Sequence, residues 1–322
     1  MGNQLSRREA IAAGFLAGAA PQPAFRFLQI NDVHFMGPNA ANGYAEANRR
    51  AEWLFERIRK QDFFPRLDFA VVAGDFIHGE SLDGLREELP RAREILDSLG
   101  VPYYTAVGNH EVVQREGDPV YEKPYRDTFG EDRLQYSFVH RGVEFVVLND
   151  SGSAARRPKS VYDERVRGLD RLLRADPRLP KLLFCHIPLV PIREEAALAK
   201  SFGFGSYKVR ETKVLELVEA RGSNVRAVLS GHLHLTGMVR EKGIVQASIC
   251  GTASYPHDVA VYTVFPGRVE VEVVRLPSNL LAPSTNIHGA GRHGVDCIDA
   301  GHPDYTSYLM GSAAERRFTI RL

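Results

Sequence analysis

The segment "VRAVLSGHLHLTG" (225–237) places an apolar run directly before two histidines, His232 and His234, with one leucine between them. The run "VRAVL" reads as a buried strand, and Gly231 after it lets the backbone turn sharply. In an extended segment, residues two apart point to the same side. His232 and His234 would then aim at one place while Leu233 faces the packing. Convergent imidazoles suggest a metal; ordinary histidines on a strand face are the alternative.

Upstream of this segment, strand-like runs alternate with helical periodicity. "FRFLQI" (25–30), "LDFAVVA" (67–73), "YYTAV" (103–107), "VEFVVL" (143–148) and "KLLFC" (181–185) read as strands. Helical patterns cover about Tyr44–Gln61, with Trp53, Leu54 and Ile58 on one side, then Ser81–Leu99, Asp163–Ala175 and Lys208–Ala220. Such alternation implies a mainly parallel sheet. Downstream of Gly231 the helices stop, and "GMVREKGIVQAS", "VAVYTVF" and "RVEVEVVRL" read as hairpin-linked strands that add an antiparallel part. The chain has no internal repeat. From about Pro277 it becomes rich in Gly, Ser, Asn and Pro. The expected division is an export signal (1–24), a catalytic domain (25–276) and an irregular C-terminal extension (277–322).

The bulk composition is that of an ordinary globular protein: 322 residues, 44% hydrophobic and 25% charged. A net charge of +1 gives no general attraction for nucleic acid or acidic membranes. No apolar run approaches a membrane-spanning length. Cys185, Cys250 and Cys297 are too few and too scattered for a disulfide framework or a thiolate metal site, and Cys185 reads as a buried thiol. The N-terminus "MGNQLSRREAIAAGFLAGAAPQPA" has the layout of an export signal with the twin arginines Arg7 and Arg8, which implies a periplasmic or extracellular protein. Two other readings exist: a retained helix opened by the Ser6–Glu9 capping box, which would leave the protein cytoplasmic, or a myristoylation pattern.

The residues that follow each strand carry the chemistry. "NDVH" supplies Asp32 and His34, "GDFIHG" supplies Asp75, "GNHE" supplies Asn109 and His110, "CHIP" supplies His186, and "SGHLH" supplies His232 and His234. Ligands of open α/β sheets bind at the carboxyl ends of the strands, so these side chains should meet in one crevice. Asp32, His34, Asp75, Asn109, His186, His232 and His234 are enough for two ions, with one carboxylate bridging. Nitrogen and oxygen donors without thiolate suit Mn, Fe, Zn or Ni. Two divalent ions bring four positive charges; two aspartates and a bridging hydroxide leave the site net positive, ready for an anionic ester.

The series "DVH", "GD", "GNHE", the lone His of "FCHIP" and "GHLH" resembles the motif series of calcineurin-like metallophosphoesterases, in order and rough spacing, across about residues 28–235. The resemblance implies an α/β fold, a four-layer αββα sandwich of mixed sheets flanked by helices. It also implies two divalent or trivalent metal ions. Asp32, His34 and His234 would hold one ion, Asn109, His186 and His232 the other, and Asp75 would bridge. His110 would be no ligand but a general acid, or a group that stabilises charge on the leaving oxygen. Glu111 either orients His110 or is a surface acid. Three departures narrow the subfamily. "GDFIHGE" lacks the Arg of the family's protein phosphatases. His78 stands where purple acid phosphatases carry a Tyr ligand. "CHIP" replaces the "HHP" of many cyclic-nucleotide phosphodiesterases, which weakens that assignment. His78 reads as a rim residue, with substrate contact as the alternative.

The long connection 187–207 carries Phe202, Phe204 and Tyr207, which either anchor the loop or stack on a substrate. "ASYPHD" (253–258) would form a further wall with Tyr255 and His257. The tail holds His288, His293, Asp296, Cys297, Asp299 and His302 in a spacing that fits no standard zinc pattern, so a polar loop covering the crevice is expected there. The resulting expectation is a dinuclear metal-dependent phosphoester hydrolase acting on a small phosphorylated molecule, a mono- or diester, with a metal-bridging hydroxide as nucleophile. A nuclease and a non-catalytic metal-containing binding protein of the same fold are the alternatives. The expected partner is the small phosphoester, with no nucleic acid and no transmembrane segment; the sequence leaves the oligomeric state open.

Overall fold

Neighbouring residues of a strand face opposite ways, so a strand that is apolar at every position must be covered on both sides. Strand β1 (Phe25–Ile30) shows the consequence: Phe27 enters one hydrophobic cluster and Leu28 another. The computed structural model describes residues 22–35, 47–150, 159–194, 212–281 and 305–322. Two six-stranded sheets stack face to face. The first holds β1, β2 (Phe69–Ala73), β3 (Tyr103–Ala106), β10 (Asp258–Phe265), β11 (Arg268–Arg275) and β12 (Arg317–Arg321), in the order β12-β11-β10-β1-β2-β3. The second holds β4 (Tyr136–His140), β5 (Val143–Val147), β6 (Lys181–Phe184), β7 (Val225–Ser230), β8 (Gly237–Glu241) and β9 (Ile244–Ser248), in the order β4-β5-β6-β7-β9-β8. Both are mixed: β1–β2–β3 and β5–β6–β7–β9 run parallel, and the flanking pairs are antiparallel.

Between the sheets lies an aromatic core. Phe27 stacks on Phe69 (ring centroids 5.2 Å apart) and on Tyr262 (4.5 Å), and Phe145 meets it edge-on at 5.2 Å. The buried Tyr262 hydroxyl donates to Gln29 Oε1 at 2.6 Å. Gln29 Nε2 in turn donates to the Ser230 carbonyl at 3.0 Å, so β1 and β7 are tied together where the site begins. Helices α1 (Ala47–Lys60), α2 (Leu82–Asp97) and α3 (Pro119–Phe129) cover the first sheet through Leu54, Ile58, Leu85, Leu89 and Tyr125. Helices α4 (Lys159–Ala175) and α5 (Thr212–Glu219) cover the second through Leu169, Leu173, Val214 and Val218. The layering is αββα.

Two elements escape the periodicity. Helix α3 carries two prolines, which read as breakers; Pro119 in fact opens the helix, at a position whose N–H has no helical partner to lose. Edge strand β4 is only partly buried and gives a weak pattern. The expectation of an irregular stretch over 277–322 is corrected at its end. Residues 305–321 form α6 (Tyr305–Met310), α7 (Ala313–Arg316) and β12, which pairs antiparallel with β11. Phe318 and Ile320 alternate with polar neighbours and fill the inter-sheet core, a short period-2 signal hidden behind a Gly-rich stretch. The twin-arginine segment, the aromatics Phe202, Phe204 and Tyr207, and the tail residues His288 to His302 lie outside the described residues. Among the described residues no helix is long and apolar enough to cross a membrane.

Candidate metal centre

The turns after the strands carry unusual backbone. Asp32, His34, Asp75, His232 and His234 all have left-handed φ, from 46° to 69°. For residues with a Cβ this costs roughly 1–2 kcal/mol each and persists only where the surroundings enforce it. The "GHLH" segment is therefore not extended, as its alternation suggests. Each histidine turns the chain, and the two rings go to different neighbours. Leu233 does face packing and is fully buried. Gly231 has a different use from the turn read in the sequence: a Cβ there would lie 2.3 Å from Asp32 Oδ2. Gly108 is alike, since its Cβ would meet Asp75 Oδ1 at 2.2 Å.

Two groups of ligand-capable atoms result. In one, His234 Nε2 lies 3.2 Å from both Asp32 Oδ1 and His34 Nε2. In the other, Asp75 Oδ2 lies 3.0 Å from His186 Nε2, and the His232 ring stands 5.1 Å from the His186 ring. Within each of these triads, one candidate atom per residue falls within 4.8 Å of the others. Asp75 joins them, because the same Oδ2 is 3.9 Å from His34 Nε2. Asn109 sits between Gly108 and His110, and the His110 amide donates to Asp75 Oδ1 at 2.9 Å.

The donor set fits cations. Asp32 Oδ1 and Asn109 Oδ1 are buried acceptors with no hydrogen-bond partner among the described residues. Leaving such a group unsatisfied costs about 1–3 kcal/mol, more when it is charged, and a positive ion removes that penalty. The titration pattern agrees. Burial opposes charge on His186, but the neighbouring Asp75 outweighs it and carries the imidazole up to about 10. Burial, then His186, pushes His232 down to about 3. The spot beside Asp75 attracts positive charge, while burial holds His34, like His232, well below its ordinary value, so these two imidazoles stay neutral, as metal ligands must.

Carboxylates and carbonyls behind the candidates hold them in place. Glu111 is neither a surface acid nor a partner of the His110 ring. It is fully buried and accepts from the amides of Asp75 (2.8 Å), Phe76 (3.0 Å), Ile77 (3.2 Å) and Gly108 (2.6 Å). Burial, reinforced by the Asp75 charge, raises Glu111 to about 7. Asp150, absent from the sequence-derived set, accepts from the amides of His186 (2.9 Å) and Ile187 (3.0 Å). It follows "VEFVVLN", so the same strand-end rule points to it. Asn31 Nδ2 and the His232 amide donate to Asp32 Oδ2 at 2.6 and 2.9 Å. His186 Nδ1 donates to the Ala73 carbonyl at 3.1 Å, which turns Nε2 toward Asp75. His234 Nδ1 bonds the Ser254 hydroxyl, a second contact the sequence did not reveal.

His110 is the more open imidazole beside the triads, with its side chain 25% exposed. Nδ1 donates to the His78 carbonyl, and Nε2 lies 3.9 Å from Asp75 Oδ2. The rim reading of His78 is corrected. It is buried beneath His34 and His110, with Nε2 2.8 Å from Glu80 Oε1, because the turn after β2 folds inward. His34, His78 and His110 form a further close group. The wall expected from Tyr255 and His257 is also absent: His257 is fully buried, with Nδ1 donating to the Thr252 carbonyl at 2.8 Å, and Tyr255 packs in a small apolar cluster.

The model of the calcineurin-like phosphoesterase family matches residues 25–235. The chain belongs to this family. As a calcineurin-like phosphoesterase it is a metal-dependent phosphoric ester hydrolase. It is 27% identical over 238 residues to a probable cyclic nucleotide phosphodiesterase of Synechococcus sp., covering 71% of this chain and 81% of that protein. It is 25% identical over 201 residues to a probable glycerophosphodiester phosphodiesterase, GpdQ, of Arcobacter nitrofigilis, covering 61% of this chain and 66% of the relative. A dimetal phosphatase from Danio rerio shares the fold, with a TM-score of 0.60 at 17% identity, over 78% of this chain and 96% of the other.

Proposed function

We propose that this calcineurin-like phosphoesterase is a two-metal phosphodiesterase acting on a small phosphodiester. One observation carries the reading: a single Asp75 oxygen lies 3.0 Å from His186 Nε2 and 3.9 Å from His34 Nε2, between two groups of buried imidazole and carboxylate. Asp32, His34 and His234 would hold one ion; Asn109, His186 and His232 would hold the other, with Asp75 shared. When bound, the ions supply Lewis acidity toward phosphoryl oxygen and a water of lowered pKa.

The protein's own groups do the rest. Glu111 and Asp150 fix the backbone of Asp75 and His186, so the ligand atoms stay placed before substrate arrives. His110 gives its Nδ1 proton to the His78 carbonyl, which leaves Nε2 as the ring atom that would exchange a proton with the leaving oxygen or stabilise charge on it. The names of two relatives, a probable cyclic nucleotide phosphodiesterase and a probable glycerophosphodiester phosphodiesterase, support a diester as substrate. The twin-arginine layout of the N-terminus supports export.

The test compares bis-p-nitrophenyl phosphate with p-nitrophenyl phosphate on protein of measured metal content. The expected result is two ions per chain and a higher kcat/KM for the diester. A preference for the monoester would make the protein a phosphatase, and no turnover with Mn, Fe, Zn or Ni would make it a binding protein.

A further inference from the structure

The C-terminal elements lie beyond the family match at 25–235, yet they pack directly on the turn that bears His232 and His234. Leu309 is fully buried, and with Tyr308 it joins Val190, Ile192, Leu233 and Leu235 in one apolar cluster. Leu233 is the residue between the two histidines, and Val190 and Ile192 follow His186. The cluster thus ties the last helices to both segments.

Hydrogen bonds reinforce the packing around Thr236, two residues past His234. Its amide donates to the Leu309 carbonyl at 2.8 Å, and its hydroxyl donates to Asp258 Oδ2 at 2.8 Å. Its carbonyl accepts from Arg193 Nη2 at 2.7 Å. Both partners reach the chain end. Arg316 forks onto the fully buried Asp258, Nη1 to Oδ2 at 2.7 Å and Nη2 to Oδ1 at 2.9 Å. Arg193 pairs with Glu315, whose other oxygen accepts from the Ser312 amide at 2.8 Å and closes the capping box of α7. Gly311 must be small, since a Cβ would meet the Thr236 carbonyl at 2.8 Å.

We infer that the C-terminal segment 305–316 is a clasp that sets the position of the His232–His234 turn, with Leu309 and Arg316 as positioning residues for the metal centre. The inference rests on the reading of His232 and His234 as ligands. The left-handed backbone of both histidines has to be held by something outside the turn, and the clasp supplies much of that restraint.

The test measures Mn²⁺ affinity by chelator competition and amide hydrogen exchange over 231–236, in the full chain and its Leu309→Ala, Arg316→Met and Arg316→Lys variants. Phe318→Ala, on β12 and away from the turn, is the control for lost stability. Leu309→Ala and Arg316→Met are expected to weaken Mn²⁺ binding about tenfold or more and to speed exchange at 231–236, as changes behind a metal ligand do. Arg316→Lys, which keeps the charge and loses the fork, should fall between them and wild type. If Leu309→Ala and Arg316→Met bind Mn²⁺ and exchange like Phe318→Ala, the clasp is only part of the fold and the inference fails. If the wild type binds fewer than two Mn²⁺, the ligand reading fails instead. Exchange at 231–236 then decides the clasp alone: faster in both variants than in Phe318→Ala supports it, unchanged overturns it.

Discussion

The turn bearing Asp75 and the turn bearing His232 and His234 do the same job by different means. Both follow a buried strand, and both hold ligand candidates in left-handed backbone. The Asp75 turn hangs on one buried carboxylate, Glu111, which accepts three of its amides and that of Gly108. The His232–His234 turn has one such bond, from the His232 amide to Asp32, with weaker support from Ser248 Oγ on the Gly231 carbonyl and Cys250 Sγ on the His234 carbonyl, and it leans further on Leu233, Thr236 and the distant chain end. A buried carboxylate gives stiff, directional restraint from a single residue, whereas apolar packing spreads it over many contacts. Damage to the first turn should therefore be abrupt and damage to the second graded.

The largest effect is expected at the shared residue. Asp75→Asn removes a charge that serves both groups, and kcat/KM on bis-p-nitrophenyl phosphate should fall about a thousandfold, with metal analysis showing less than two ions per chain. His110→Ala comes next. Its ring lies beside Asp75 and His34 but holds neither turn, so kcat should drop about a hundredfold or more while metal content and thermal midpoint stay near wild type. Glu111→Gln replaces one accepting oxygen with a donor facing backbone N–H groups. Mn²⁺ affinity should weaken about 10- to 100-fold, measured by chelator competition, and an unchanged affinity would remove the stiff half of the contrast. The smallest effect belongs to Thr236→Val, which loses one hydroxyl from the second turn. A stability loss of about 1 kcal/mol in urea titration, with only a few-fold change in affinity, would mark the graded response.

Much of the centre was legible because strand ends are a local signal. Apolar runs of five or six residues followed by Asp, Asn or His point to one edge of a sheet, and the structure gathers the Asp and His side chains of that set there. The backbone of "GHLH" was not legible: alternation suggested an extended pair, while the left-handed φ of both histidines depends on packing from elsewhere. Glu111 looked ambiguous because its four amide partners come from two turns, three of them more than thirty residues away. Asp150 obeys the strand-end rule one residue further on, behind Asn149 rather than directly after the apolar run. Ser254 had no signal of its own, since a serine in a loop is ordinary until a histidine faces it. Strand β12 was masked by the Gly-rich stretch before it.

The sequence by itself determined most of the strands and helices as far as β11, though not α3 or β4, and the identity of the polar residues at the strand ends, because both follow from periodicity over a few neighbours. Only the tertiary structure decided which of those residues share a group, that one Asp75 oxygen stands between two groups, and that the end of the chain packs on the His232–His234 turn. Those facts depend on contacts between segments far apart along the chain, set by how two sheets stack and which side chains fill the space at their shared edge.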